Sequence, residues 1–121
     1  MPFEPIHSNQ MTRAAPVVKF ALKTKLTVNA AGAQLICKIL GLDKKDRPDI
    51  WVEFYVDKSV REIAIEPHDT PTPSGTKMSW NSQSSGGATM SSKQLRDAIG
   101  AQDGDAVILT RSSATWVIGS Y

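Results

Sequence analysis

The sequence predicts a mainly β, α+β protein in which two βαββ-like repeats form one barrel carrying two short helices. Three observations lead there. Apolar and polar residues alternate with period two in several short stretches, the mark of half-buried strands. Two other stretches place apolar residues at helical spacing, and a glycine follows each. The order strand, helix, Gly, turn, strand, turn, strand occurs twice, as "LTVNA…QLICKILG…VEFYVD…EIAIEP" and as "ATMSS…QLRDAIG…VILTRS…TWVIG".

Residues 1–16 contain Pro2, Pro5 and Pro16 with little periodicity, which predicts a flexible N-terminal arm. The first repeat covers 17–66. From Lys19 the pattern predicts one continuous strand, with Phe20, Leu22, Leu26 and Val28 on one face and Lys19, Lys23 and Lys25 on the other. Asn29 suits a helix N-cap, because its side-chain oxygen can accept from an orphan backbone N–H. Ala33, Ile36, Cys37 and Leu40 form one helical stripe, and Gly41 suits the left-handed position that ends a helix. "WVEFYVD" reads as a strand with Val52, Phe54 and Val56 inward. "KSVR" is a turn, and "EIAIEP" is a strand that Pro67 should stop.

Residues 67–87 are rich in Pro, Ser, Thr and Gly, and are expected to be a linker with no share in the core. The second repeat covers 88–121. "ATM" is a short strand. Ser91 and Gln94 have the spacing of a capping box. Leu95, Ala98 and Ile99 make the apolar helical face, and Gly100 ends the helix. "AQDGD" is a turn in which Gly104 is free to take positive φ, and "RSSA" is the turn between the last two strands.

A chain of 121 residues suits one compact domain or two very small ones. A net charge of +2 does not by itself argue for nucleic acid. The single cysteine, Cys37, excludes an internal disulfide and fits a reducing compartment. The first residues lack the basic and apolar regions of a signal peptide, and no apolar run is long enough to span a bilayer. A cytoplasmic protein with no membrane partner is expected.

The second repeat resembles the AbrB-like swapped-hairpin family, which includes transition-state regulators and MazE- or PrlF-type antitoxins. Lys93, Leu95, Arg96, Ile99 and Gly100 match that family's helix, and Gly104, Asp105 and Val107 match its link into the next strand. The first repeat matches at Gly41, with Pro48-Asp49 in place of the Gly-Asp pair. In that family two chains exchange hairpins to close a small barrel. The resemblance implies that two repeats in one chain close a swapped-hairpin barrel alone, as a monomeric pseudo-dimer, or as a homodimer. It also implies DNA contact through basic residues on the barrel face.

No catalytic, metal or cofactor site is expected. His7 falls in the arm and His68 in the linker, where lone histidines are ordinarily solvated. Cys37 lies on an apolar face, as an inert structural thiol does. Asp103-Gly104-Asp105 lacks the further carboxylates of a calcium loop and reads as a turn. The leading functional expectation is a non-enzymatic DNA-binding regulator or antitoxin-like protein. Its phosphate contacts on double-stranded DNA would come from Arg13, Lys19, Lys23, Lys25, Lys93 and Arg96, because phosphates need such cations. The alternative is a small phage- or plasmid-encoded inhibitor or adaptor that meets a protein partner through Trp51 and Tyr55. For those two aromatics, burial under the second repeat is the favoured expectation. Trp80 and Trp116 either join the same patch or anchor the linker.

Overall fold

The structure, a computed structural model, describes residues 15–22, 24–81 and 87–121. His7, Arg13 and Lys23 lie outside the described residues. Among the described residues there are nine strands and two α-helices. In chain order they are β1 (Val17–Phe20), β2 (Lys25–Val28), α1 (Ala30–Ile39), β3 (Trp51–Asp57), β4 (Glu62–His68), β5 (Thr76–Lys77), β6 (Ser79–Trp80), β7 (Ala88–Ser91), α2 (Lys93–Ile99), β8 (Ala106–Ser112) and β9 (Val117–Ser120). A 3-10 turn, Lys44–Asp46, follows α1.

The strands form one antiparallel sheet in the order β5-β3-β4-β9-β8-β1-β2-β7-β6. The first and last members of that order are consecutive pieces of chain, split only at Met78. Thr76–Trp80 therefore reaches β3 with one end and β7 with the other, and the sheet curls into a nearly closed barrel. The break falls on a core residue. Met78 is 2% exposed, and its N–H donates to the Ile50 carbonyl at 2.8 Å.

The pairing pattern has an internal two-fold. Exchange β1 with β5/β6, β2 with β7, β3 with β8 and β4 with β9, and every neighbouring pair becomes another neighbouring pair. Two ladders map onto themselves and so lie on the pseudo-axis. In β2–β7, Thr27 pairs with Thr89, the residues that the repeat alignment makes equivalent. In β4–β9, Ile63 faces Gly119 and Ala64 faces Ile118. Gly119 is needed there for space. A Cβ would come within 2.7 Å of Val107 Cγ1 and 3.0 Å of the Ile108 carbonyl oxygen.

The helices begin and end as their local chemistry dictates. Asn29 caps α1, accepting from Gly32 N at 2.9 Å. Its amide also donates to the Ala15 carbonyl at 2.7 Å, which ties the chain ahead of β1 to the helix start. Gly41 and Gly100 follow or cap their helices at φ +69° and +66°, a region costly for residues with a Cβ. The helix α2 is shorter than α1, as the sequence predicts. Its cap is Ser92, not Ser91: the Ser92 hydroxyl accepts from Leu95 N at 3.1 Å, while Ser91 is the last residue of β7. The expected Ser91–Gln94 capping box is therefore not formed: the cap is Ser92 alone, and Leu95, three residues on, has no side chain that could return a bond.

Four further expectations change. Residues 19–28 are not one strand. β1 and β2 form a hairpin in which Lys19 opposes Thr27, and Leu22, expected inward, is 71% exposed in the turn. Pro67 does not stop β4, which continues to His68 and pairs it with Trp51. The turn expected at residues 111–114 shifts, because β8 runs on through Ser112 past a bulge between Leu109 and Arg111. The stretch 67–87, expected to be a linker, supplies β5, β6 and core residue Met78. The second repeat therefore begins inside it, with a strand equivalent to β1.

The barrel interior is apolar throughout. Val18, Phe20, Leu26, Ile36, Ile50 and Val107 are among its fully buried side chains, and no polar or charged side chain among the described residues is buried with them. Shortening Met78 to Ala should cost roughly 2–5 kcal/mol, since it empties the seam that closes the sheet. Urea unfolding with an unchanged m-value would measure that loss. Burial pushes the Cys37 thiol from 9.0 up to about 11, with nearby Lys44 opposing the rise. A raised acid pKa stabilises the fold below the unfolded value, and that stability is lost as pH climbs through the folded one. Stability should therefore fall between about pH 9 and pH 11, and a Cys37→Ala variant should lose that part of the decline.

Candidate nucleic-acid interface and the opposing acidic face

Strand pleating decides which way each side chain points. On β1, Val18 and Phe20 fill the barrel, so Lys19 faces out. On β2, Leu26 and Val28 face in, and Lys25 and Thr27 face out. Thr89 and Ser91 continue that outer surface across the β2–β7 ladder, opposite Thr27 and Lys25. Ala106 lies beyond Lys19 on β8. No Asp or Glu occupies these outward positions, and neither Lys19 nor Lys25 forms an ion pair with another described residue. The structure thus brings Lys19 and Lys25 together on one polar, carboxylate-free face.

Lys93 and Arg96 sit elsewhere and are engaged. Lys93 is exposed, but its ammonium reaches Asp97 at 2.8 Å, and that hydrogen bond holds its pKa above the usual lysine range. Arg96 is 15% exposed. Its Nη1 donates to the Ala21 carbonyl at 2.7 Å, its Nε donates to the Ala101 carbonyl at 3.2 Å, and its Nη2 pairs with Asp103. Arg96 joins α2 to the end of β1 and to the turn that follows α2.

That turn is structural, as its composition predicts. Gly104 takes φ +91°, and its N–H donates to the Phe20 carbonyl at 2.7 Å. Phe20 N–H returns a bond of 2.7 Å to the Asp105 carbonyl. The Asp105 carboxylate accepts from Gln102 N at 2.8 Å. In the first repeat, Asp43 caps the 3-10 turn by accepting from Lys45 N at 2.9 Å.

The other side of the barrel is acidic and aromatic. Trp51, Glu53, Tyr55 and Asp57 face out from β3, against Glu62, Ala64, Glu66 and His68 from β4. Tyr55 is 44% exposed, which overturns its expected burial under the second repeat. From the second repeat, the Trp116 ring approaches it, with a centroid separation of 5.8 Å. Tyr55, Ala64, Trp116 and Ile118 line a shallow groove of about 270 Å³. Trp51 is half-buried, with the Lys77 ammonium 5.4 Å from its ring centre. Trp80 anchors its own segment instead, donating from Nε1 to the Pro48 carbonyl at 2.8 Å.

No family model matches the chain, and no curated protein or solved structure matches it either.

The sequence reading missed a cluster on this acidic face. His68 is not a solvated linker residue. Its Nε2 lies 3.0 Å from Glu66 and 3.3 Å from Glu53, and its side chain is 31% exposed. The signal was present: a tight turn joining two period-two strands sets their register, and that register places Glu53 against Glu66. Reading Pro67 as a strand stop hid His68, two positions past Glu66 on the same face. Replacing Arg96 with Ala should destabilise the fold by about 1–3 kcal/mol, because two carbonyls and Asp103 lose a shared charged donor. Thermal unfolding of the variant checks this.

Proposed function

We propose that this protein is a non-enzymatic, DNA-binding regulator or antitoxin-like protein that meets duplex phosphates with the outer face of β1 and β2. The observation that carries the reading is the charge layout of the barrel. Lys19 and Lys25 stand on a strand face free of carboxylates, while Glu53, Asp57, Glu62 and Glu66 gather on β3 and β4. A surface so divided orients the molecule in the field of a polyanion, with the acidic side turned away. Lys93, exposed at the start of α2 but paired with Asp97, lies outside that face. The resemblance of the second repeat to AbrB-like regulators points the same way.

The cationic residues belong mainly to the first repeat. The ladder positions matching Lys19 and Lys25 in the second repeat carry no lysine: Ser79 answers Lys19 in the β6–β7 pairing. The proposed contact is therefore one-sided, and a palindromic site is not required of the DNA. A cytoplasmic location goes with this reading, as does the lone buried thiol. Among the described residues, no helix is long and apolar enough to cross a membrane.

Duplex binding should weaken steeply with salt, at roughly 0.9 in log–log slope per phosphate engaged. The Lys19→Ala/Lys25→Ala double variant should reduce that slope by about 2 with the melting temperature unchanged. Fluorescence anisotropy across a salt series reads both. Absence of duplex binding at low salt would overturn the proposal.

A second reading rests on the exposed Tyr55 and its contact with Trp116 beside Ile118. As a protein-binding inhibitor or adaptor, the chain would use this groove as its anchor site. Tyr55→Ala would then leave unfolding unchanged and abolish partner pull-down.

A further inference from the structure

On the outer face of the β3–β4 hairpin, acidic residues oppose each other twice. Asp57 faces Glu62, and Glu53 faces Glu66. Like charges directly across a ladder destabilise a sheet unless a cation offsets them. The first pair has a permanent one. Arg111 grips the Glu62 carboxylate with both terminal nitrogens, at 2.6 and 2.9 Å. Among the described residues, the second pair has only the His68 imidazole within ion-pair reach, and it is charged only when protonated.

The carboxylates of the second pair are also held in place from outside. The Tyr55 hydroxyl donates to Glu66 Oε1 at 3.0 Å, and the Ser74 hydroxyl donates to Glu53 Oε1. Glu53 Oε2 is thereby turned toward His68 Nε2. One donor atom from each of the three residues lies within 4.8 Å of the others. Ligands about 2.1 Å from a tetrahedral ion sit roughly 3.4 Å apart. The separations of 3.0 and 3.3 Å around Nε2 are close to that spacing. Hydrogen-bonded outer partners that orient ligating groups are what metal sites use.

We propose that Glu53, Glu66 and His68 bind one divalent transition-metal ion of the zinc class, with three protein ligands and one open position. Binding places the metal on His68 Nε2 and leaves the ring proton on Nδ1. It supplies the cation that the Glu53/Glu66 pair lacks and that Arg111 gives its neighbour. A cleft of about 600 Å³ adjoins the cluster at Glu53, with Tyr55 and Ser74 on the same side and Gln94 and Leu95 of α2 on the other.

Isothermal titration of the full-length, EDTA-treated protein with zinc chloride tests the site. One zinc per chain is expected, with affinity at least tenfold weaker in both His68→Ala and Glu66→Gln. Cobalt should give the visible absorption of a four-coordinate ion, absent from both variants. Glu66→Gln preserves side-chain shape, so it reads the site even if His68→Ala folds poorly. No zinc binding, or binding unchanged in Glu66→Gln, would overturn the proposal.

Discussion

Neither half of this chain can cover its own apolar sheet face, and everything else in the structure follows from that. The two ladders on the pseudo-axis, β2–β7 and β4–β9, are where each half completes the other. A βαββ unit alone would leave Leu26, Val28, Ile63 and Ile65 facing water, and units this small bury too little surface to fold unaided. Each of these ladders covers one strand edge from each half, so together they close four open edges and build one shared interior. Thr76–Trp80 then fills the remaining seam between β3 and β7. The axial ladders pair residues 52 to 66 positions apart, about half the chain length, so closing the barrel depends on non-local pairings and folding should be slow for its size.

The same arrangement sorts the surface. The outward residues of β1 and β2 include Lys19, Lys25 and Thr27, and those of β3 and β4 are mostly carboxylates and aromatics. Period-two patterning decides only inside against outside. Sheet order decides which outsides lie together, and it brings the basic hairpin and the acidic hairpin to separate sides of the barrel. A net charge of +2 conceals this division completely. It also leaves each face with its own problem: the basic one has no internal counter-charge, while the acidic one must be neutralised residue by residue.

Much of the fold was legible because its signals are local. The strand positions of β3, β4, β8 and β9, the Asn29 cap and the glycine ends of both helices follow from spacing and backbone chemistry. The errors also have local causes. Residues 19–28 keep perfect alternation through a turn, and Leu22 looked inward only because the turn lacks Gly or Pro. Residues 67–87 have a linker's composition, yet Met78 and Trp80 are enough to dock it once two strand edges stand waiting. The site was harder to read. Lys19 and Lys25 were visible as a face, but Arg96 resembled a free cation: one carbonyl partner, Ala21, lies 75 residues away, and Ala101 and Asp103 meet it only through the turn after α2. His68, Glu53 and Glu66 converge only through the β3–β4 register, and composition carries no trace of that.

The pseudo-axis also has an evolutionary meaning. In a barrel made from two identical chains, every substitution appears twice, once at each symmetric position. A change useful on one side must be tolerated on the other. Here the two sides are separate stretches of one chain, so each can drift independently while the axial ladders are kept. Lys19 can stand where its counterpart is Ser79, and the hairpin bearing Glu53 and His68 has no acidic twin in β8 and β9. With both halves in one covalent chain, the barrel is not bound to exact symmetry, and one side can specialise independently of the other.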